Sequence, residues 1–517
     1  MNFKVNKESV KSFEKICQAV QEQPVELDYV LPDYYPEIFR IMGCEAEPRV
    51  TLCGISGDRV TYELTVCIRV IYCPESGGQP EAVEQKLSYS RTVNLDKQAV
   101  NAAVYIKASP DHINCRAVNR RRIDVRGAVT VTVEVMGETD VQVICDAFGG
   151  SVELKKSACL CPSSIIHGAR RVTISDELEI GDNPPVGSII KCGARVISTD
   201  KKLVAGKLAA KGELKISLVY TPSGDNSDRP VCALQFTLPY SQLIDMEGLD
   251  SDYDCSVYTE VVSCEIIPRS SGDGEATSLE CEVMLFIDCT AVKSTLCEIA
   301  CDEYSTAYNS SHSSVPVKIR SEPENIDSII IVKGTCENKD SPLAEIYDVS
   351  CRTDKLRTER EGDKIKVTGT VRLTVIGRAE NGDFILCESD VPVEEVISAD
   401  PNTAFSENAV IRLTFNVLSC TYTIGSENTA EIKAEIAVRG RIEDYRTVNA
   451  VTEITLDEQA PRERQEEFAL KLYFADPGEE LWDIAKGCGA SVGLVMEENE
   501  LDSGTLSEGR MLLIPMV

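Results

Sequence analysis

Few residues in this chain have the types and spacing that a catalytic or metal site requires. Histidine occurs only at His112, His167 and His312, and none of the three has a zinc-binding spacing. Cys159 and Cys161 could place two thiols on one face of a strand, but no second pair at zinc-ribbon spacing accompanies them. We therefore predict no metal site and no cofactor.

An acidic stretch, DSDYDCSV, begins like a calcium-binding loop. Asp250, Asp252 and Asp254 have the spacing of the first three ligands of such a loop. The loop also needs glycine at its sixth position and glutamate at its twelfth, where this chain has Cys255 and Val261. We interpret the stretch as a solvated acidic loop.

The sequence motifs of common enzyme classes are absent. The chain has no GxxxxGK[ST] phosphate loop, no GxGxxG after a strand and no GxSxG nucleophile elbow. Carboxylates are too abundant, at 84, for any pair to stand out. We predict that the protein is not an enzyme, the alternative being an active site assembled from residues distant in sequence.

The charge and hydropathy of the chain argue against several classes of partner and location. The net charge of −31 disfavours nucleic acid and anionic lipid, both of which attract basic proteins. No apolar run is long enough to form a transmembrane helix, and no apolar segment follows Met1–Lys7 as in a secretory signal. We expect a protein kept inside the cell, whose 22 cysteines are mostly buried thiols.

The elements that position these residues are mainly strands. From about residue 24 to 455 apolar and polar residues alternate, as in RVTYELTVCIRVIY, and turn residues separate the runs. Similar strands recur in the same order three times, which predicts three tandem antiparallel β-rich domains, sandwich-like or barrel-like. We place the repeats at 24–150, 151–308 and 309–455.

Residues 1–23 have a different pattern. Val10, Phe13, Ile16, Cys17 and Val20 recur at helical spacing. We predict a short N-terminal helical segment that packs on the first repeat, with partner binding as the alternative.

The pattern changes again after a charged linker at 456–466. A strand is predicted at 469–474, followed by a Pro-Gly turn and a helix from about Glu480 that ends at glycine. A second helix is expected from Ser491 to Asn499, and RMLLIP reads as a second strand. The order β-α-α-β occupies residues 467–517.

This tail resembles a LysM domain, because PGEELWDIA, Asn499 and EGRMLLIP match the motifs of that family in order. The resemblance implies a very small fold whose core includes Leu481, Trp482, Ile484 and Ile514. It also implies binding of N-acetylglucosamine in peptidoglycan or chitin. The usual Asp-Thr of the family's glycan loop is replaced here by Glu479-Glu480, and ten acidic residues outnumber three basic ones over 467–517. Such a surface suits a basic protein patch at least as well as a sugar.

The candidate binding residues are the exposed ones of the two loops beside the helices. We predict that they contact a protein partner or a glycan: Asp476, Glu479, Glu480, Asp483, Glu497, Asn499 and Glu500.

The combination of β-rich repeats, one LysM-like tail and the opening VELDYVLPDYYPEIFRIMGCEAEPRV resembles the DUF3794 family of spore-coat morphogenetic proteins. The resemblance implies a cytoplasmic protein of the mother cell at the forespore surface. It implies a scaffold that engages other coat proteins and docks on the coat-basement ATPase, stage IV sporulation protein A. The alternative is a peptidoglycan-binding protein anchored at cortex or cell wall.

Overall fold

The computed structural model is built almost entirely of antiparallel strands, with two short helices near the C-terminus. This arrangement confirms the predicted mainly-β class with a small βααβ unit at the end. The structure describes residues 3–75, 79–98, 100–204, 206–224, 230–270, 276–320, 323–362, 364–398, 409–425, 428–462 and 469–516.

The first six strands form repeat 1, defined here as Lys4–Phe148. They are β1 (Lys4–Val30), β2 (Ile38–Ser56), β3 (Arg59–Pro74), β4 (Glu81–Asn94), β5 (Ala103–Asn119) and β6 (Arg122–Phe148). One sheet has the order β1-β6-β5 and the other β2-β3-β4. Alternate residues of β3, such as Tyr62 and Leu64, face Val129 of β6 in the core between the sheets. Repeat 1 is therefore a sandwich.

Repeat 2, Val152–Ser305, has the same strand order. Its strands are β7 (Val152–Glu179), β8 (Val186–Val204), β9 (Lys207–Pro222), β10 (Cys232–Asp245), β11 (Asp254–Ser270) and β12 (Ala276–Ser305). The sheets β11-β12-β7 and β10-β9-β8 enclose a second core, in which Leu214 and Leu285 are fully buried. As in repeat 1, the first strand pairs with the last.

Repeat 3, Tyr308–Pro461, follows the same plan with three of its strands interrupted. Its strands are β13 (Tyr308–Arg320), β14 (Glu324–Glu337), β15 (Leu343–Arg352), β16 (Arg357–Glu361), β17 (Lys364–Ala379), β18 (Phe384–Ser398), β19 (Val410–Ile424), β20 (Thr429–Glu443) and β21 (Tyr445–Pro461). β15 and β16 pair with successive parts of β17, as a single broken strand would. The sheet β14-β20-β19 packs on them around a third core.

The ends of the long strands build a central assembly that joins the repeats. It consists of the outer ends of β1, β6, β7 and β12 together with β13 and β21. All six strands contribute to one apolar cluster that includes Val10, Val143 and Ile299. Ion pairs also link the repeats two by two: Lys191–Glu45 at 3.1 Å, Arg441–Asp254 at 2.7 Å and Arg412–Glu134 at 3.3 Å.

The connections between repeats lie together at one end of the central assembly. The turn between β6 and β7 contains Gly149, Gly150 and Ser151, all with positive φ. The amide of Thr306 donates to Ser151 O at 3.0 Å, and the amide of Arg462 donates to Ala307 O at 3.0 Å. The chain therefore leaves repeat 3 beside the place where it passes from repeat 1 to repeat 2.

The predicted N-terminal helix was wrong, because β1 runs as a strand from Lys4 to Val30. It pairs with β6 along its whole length, and these ladder hydrogen bonds outweigh a weak helical pattern. The register shifts between Asn6 and Lys7 and between Lys15 and Cys17. The second shift falls inside the apolar pattern of Val10 to Val20 and interrupts the alternation of two there.

The predicted linker at 456–466 was wrong over its first half, since β21 continues to Pro461. Residues 463–468 lie outside the described ranges. The C-terminal lobe, residues 469–516, then contains β22 (Leu470–Ala475), α1 (Leu481–Cys488), α2 (Val492–Glu498) and β23 (Arg510–Pro515). Neither helix in the described part of the chain has the length and apolar character to cross a membrane.

Candidate functional site

The C-terminal lobe places two loops side by side, one between β22 and α1 and the other between α2 and β23. Gly478 N donates to Leu506 O at 2.8 Å, and Leu481 N donates to Gly504 O at 2.8 Å. Gly478 adopts a φ of 90°, which glycine reaches without strain, so the Pro-Gly turn can start the first loop. Most of the predicted binding residues flank these two loops.

The first loop uses one predicted acid in its own structure and another in a contact with repeat 2. Glu479 accepts hydrogen bonds from the Tyr473 hydroxyl at 3.1 Å and from the Asp476 amide at 2.9 Å. Glu480 forms an ion pair with Lys155 of β7. Among these acids Asp476 is the exposed one. Glu479 shapes the loop, and Glu480 holds the lobe to the repeats.

The remaining predicted acids line the helices. Asp483 in α1, Glu497 in α2 and Glu500 after α2 all have exposed side chains. Together with Asp476 they leave part of the lobe surface negatively charged. A basic partner would be attracted to this surface over a range set by ionic strength.

The prediction that Asn499 is exposed was wrong. Its side chain is 8% exposed and bridges α2 to β23. The amide group donates to Val495 O at 2.8 Å and to Leu513 O at 2.7 Å, and its oxygen accepts from Leu513 N at 2.7 Å. A buried side chain with satisfied hydrogen bonds fixes the fold and is withheld from a ligand.

The four predicted core residues are buried together. Leu481 and Ile514 are fully buried, Ile484 is 5% exposed and Trp482 is 8% exposed. Three of these residues lie on one face of α1. The helix ends at Gly489, whose φ of 71° lets its own amide and that of Ala490 donate hydrogen bonds to carbonyls of the last helical turn.

Trp482 also contacts repeat 2, and no pattern in the sequence predicts this contact. Its indole Nε1 donates to Asp302 Oδ2 at 2.8 Å, and its ring meets the Tyr304 ring edge-on at 5.0 Å. Lys486 Nζ lies 2.6 Å from Asp302 Oδ1, and the Tyr304 hydroxyl donates to Ala490 O at 2.6 Å. These partners are about 180 residues apart in sequence. The helical face of the lobe is thus docked on the end of β12.

The opposite side of the lobe is an exposed apolar sheet face. Leu470, Leu472 and Phe474 point outward from β22, and Met511 points outward from the paired position on β23. Leu472 is 63% exposed and Phe474 is 64% exposed. The alternation in LKLYF indicates a strand with an apolar face, but Tyr473 and Ala475 make its other face apolar as well. Periodicity alone could not say which face the lobe covers.

The other residues singled out for chemistry have structural partners. Asp250 and Asp252 both bind Lys293, at 3.0 Å and 2.8 Å, so a cation of the protein itself neutralises this acidic loop. His167 Nδ1 lies 3.1 Å from the Thr290 hydroxyl. Within the described ranges, no group of three or more His, Cys, Asp or Glu side chains is arranged to hold a metal ion.

A charged cavity of 240 Å³ lies between repeats 1 and 3. Arg372 and Glu388 line it with their charged groups 3.7 Å apart, and Arg372 also pairs with Asp390 of the neighbouring strand at 2.7 Å. Burial raises the pKa of Glu388, although Arg372 opposes that shift. Cys44 and His112 also line this space.

Comparison with known families identifies two segments. Residues 185–267, which run from the start of β8 into β11, match the family described as SipL, SPOCS domain. Residues 476–515 match the LysM domain family. No curated protein and no solved structure matches the chain.

Proposed function

Because the chain is SipL-like, carrying a SPOCS domain and a C-terminal LysM domain, we propose that it is a non-enzymatic adaptor of the spore coat. In this proposal it acts in the mother-cell cytoplasm at the forespore surface. The LysM domain docks on the coat-basement ATPase, stage IV sporulation protein A, and the repeats serve as a scaffold for other coat proteins.

The observation that carries the proposal is the outer face of the LysM sheet. Leu470, Leu472, Phe474 and Met511 form one apolar strip on a domain of fewer than fifty described residues. Exposed apolar strips are typical of protein interfaces, and they suit hydroxyl-rich sugars less well. The exposed Asp476 directly follows β22 and adds a negative charge at the end of the strip.

The docked helical face supports the same assignment. Trp482 and Lys486 already bind Asp302, so this face is occupied by the chain's own repeat 2. A partner would therefore meet the sheet face and Asp476 directly after β22. The repeats would project behind the bound domain as the scaffold.

Peptidoglycan binding is the second candidate, because it is the common role of LysM domains. The two adjacent loops, held together by the Gly478 and Leu481 amides, are the place for a glycan in this alternative. This alternative predicts that the protein is anchored at the cortex or cell wall and does not need to bind the ATPase.

A binding assay with the full chain separates the candidates. Immobilised protein is titrated with the purified ATPase and, separately, with soluble peptidoglycan fragments. We expect Leu472→Glu to weaken ATPase binding roughly tenfold or more, since a charge would be buried in an apolar interface. Raised salt should weaken the wild-type complex as well.

Leu296→Glu is the matched control, because Leu296 is 74% exposed on β12 and lies outside the LysM domain. It should leave ATPase binding unchanged. Equal loss in both variants, or binding of the glycan alone, would reject the adaptor proposal; glycan binding alone would establish the second candidate.

A further inference from the structure

Repeat 1 exposes two aromatic side chains at the end of its sandwich that lies beyond β1. The loop that joins β1 to β2 is fixed there by Arg121, whose side chain donates to Pro32 O at 2.6 Å. The ring of Tyr34 lies 4.7 Å from the ring of Tyr35, which packs against the core of repeat 1. Tyr34 is nevertheless 79% exposed, and Phe39 at the start of β2 is 73% exposed. A partner would find these rings already held in place, so binding them costs little ordering entropy.

The corresponding parts of repeats 2 and 3 display no such rings. Their loops, residues 180–185 and 338–342, contain no aromatic residue. Phe39 lies at a register shift of β2, and at the same shift β8 has Gly187 and β15 has Ala344. A shift of this kind turns the extra side chain out of the ladder. Since the three repeats share this framework, the fold does not require rings at these places.

The tip of repeat 1, residues 28–40 and 116–126, also has a surplus of positive charge. It contains six arginines and four acids, in a chain whose net charge is −31. The side chains of Arg40, Arg116 and Arg120 are exposed by 62%, 70% and 67%. Exposed aromatic rings beside arginine give the composition of a protein-binding surface. The tip therefore suits a partner that carries apolar side chains and negative charge.

The LysM domain of the same chain has both properties. Leu472 and Phe474 are exposed in its apolar strip, and the exposed Asp476 follows directly after β22. The described part of the domain, residues 469–516, contains nine acids and three bases. Its charge is opposite in sign to that of the tip, and opposite charge favours the approach of the two surfaces.

The tip and the LysM domain of one chain lie at opposite ends of the molecule. Ser305, which ends β12 beside the LysM contacts, donates from its hydroxyl to Gly150 O at 2.6 Å. Phe148 pairs with Lys4 at the start of β1, so this end of β1 is the one near the LysM domain. The tip begins at the other end of β1, a strand of 27 residues that spans roughly 80 Å. The two surfaces are too far apart to meet within one chain.

We propose that the tip of repeat 1 binds the LysM domain of a second copy of this chain. The rings of Tyr34 and Phe39 lie on the apolar strip, and the arginines of the tip face the acids of the domain. Two different surfaces meet in this contact, so each bound pair keeps one free tip and one free LysM domain. Copies therefore join head to tail into an open chain.

This self-association goes beyond the proposed function and uses the same face of the LysM sheet. One LysM domain cannot bind the ATPase and a tip through that face at the same time. A copy docked on the ATPase still presents its tip, because the tip lies at the far end of β1. Further copies would then be added outward from the first.

Sedimentation velocity of the full-length protein without the ATPase tests the contact. We expect wild type to associate progressively as its concentration rises to about 100 µM. The double variant Tyr34→Ser/Phe39→Ala introduces residue types that repeat 3 has in the corresponding segment, and it should raise the Kd of association roughly tenfold or more. Leu52→Ala is the matched control, since Leu52 is exposed farther along β2 and outside the tip. It should associate like wild type.

A mixture of two deficient variants tests the head-to-tail mode. Leu472→Glu places a charge in the apolar strip and leaves the tip intact, whereas Tyr34→Ser/Phe39→Ala leaves the LysM domain intact. Each variant alone should remain monomeric, and the mixture should form a one-to-one dimer that grows no further. Association of Leu472→Glu alone, a mixture that does not associate, or an equal loss in Leu52→Ala would overturn the proposal. Wild type that stays monomeric up to about 100 µM would also overturn it.

The ATPase separates this inference from the proposed function. Tyr34→Ser/Phe39→Ala should bind the ATPase like wild type, because it changes no residue of the LysM domain. Absent self-association with normal ATPase binding would reject the head-to-tail contact alone. Self-association without ATPase binding would reject the proposed docking alone.

Discussion

Trp482 serves two purposes with a single side chain. Its ring fills the core of the LysM domain between α1 and the sheet, where a small domain has few other large groups. Its Nε1 leaves that core on the side of repeat 2 and binds Asp302. The one tryptophan of the chain therefore stabilises its own domain and also the contact of that domain with the repeats.

Substitutions at Trp482 should separate these two purposes. Trp482→Ala should cost about 3–5 kcal/mol, because it removes a large buried aromatic side chain, and the LysM domain should unfold before the repeats. Trp482→Phe should retain most of the packing and lose only the Asp302 hydrogen bond. Hydrogen exchange of LysM peptides in the full chain measures both effects. Equal protection in wild type and Trp482→Ala would contradict a core role.

Asn499 has a position that the sequence motif predicts and a burial that the motif does not predict. Its place at the end of α2 was readable from the sequence, yet its burial was not, because Val495 O and Leu513 supply its partners from two different elements. Loop asparagines are usually exposed, and only the fold shows that this one is enclosed. The exposed acids Asp483 and Glu497 carry no such tertiary constraint.

At the scale of elements, α1 is the contact helix between the LysM domain and the end of β12. Burial raises the pKa of Asp302, but hydrogen bonds from Lys486 and Trp482 outweigh it and hold that pKa below its usual range. A carboxylate with a lowered folded-state pKa adds stability above its unfolded pKa of about 4. That stability is lost as pH falls through the folded pKa.

We therefore expect acid to release the LysM domain from the repeats before the repeats unfold. Asp302→Asn should weaken the contact by roughly 1–3 kcal/mol at neutral pH, since hydrogen bonds to a charged group are removed, and should reduce this pH dependence. The emission of Trp482, which reports its surroundings directly, follows the contact. Glu298→Gln, on the same strand, is the control and should titrate like wild type. A pH profile unchanged by Asp302→Asn would contradict the assignment.

Local patterns predicted the LysM elements well and β1 poorly. α1 is bounded by residues with strong local preferences, Pro477-Gly478 before it and Gly489 after it, so the sequence marks its ends. β1 has its strand geometry imposed by a partner more than one hundred residues away, as Val10 pairs with Val141. The irregularity between Lys15 and Cys17 also interrupts the alternation that identifies a strand.

At the scale of the whole molecule, the repeats are joined by shared strands instead of linkers. Four long strands have one end in a sandwich and the other end in the central assembly: β1, β6, β7 and β12. The recurrence of strands along the sequence predicted three units, but it could not predict that their ends meet. That meeting depends on apolar residues such as Val143 and Ile299, which look like any other strand residues.

A buried charge in the central assembly should therefore affect all three repeats. Val143→Asp should raise hydrogen exchange in peptides from repeats 1, 2 and 3 together, since one fully buried side chain serves strands from each. Val66→Asp is the matched control, a fully buried valine in the core of repeat 1 alone, and its effect should stay within repeat 1. Confinement of the Val143 effect to repeat 1 would show that the repeats unfold independently.

The end of the central assembly where the connections between repeats lie together also determines how the protein responds to force. The LysM domain is attached through Arg462, directly after β21, and β21 is antiparallel to β13. Ladder hydrogen bonds lie across the strands, so a pull along β21 strains the whole row at once, whereas a sideways pull opens it one bond at a time. A chain held by its LysM domain would bear tension well along this axis and poorly across it.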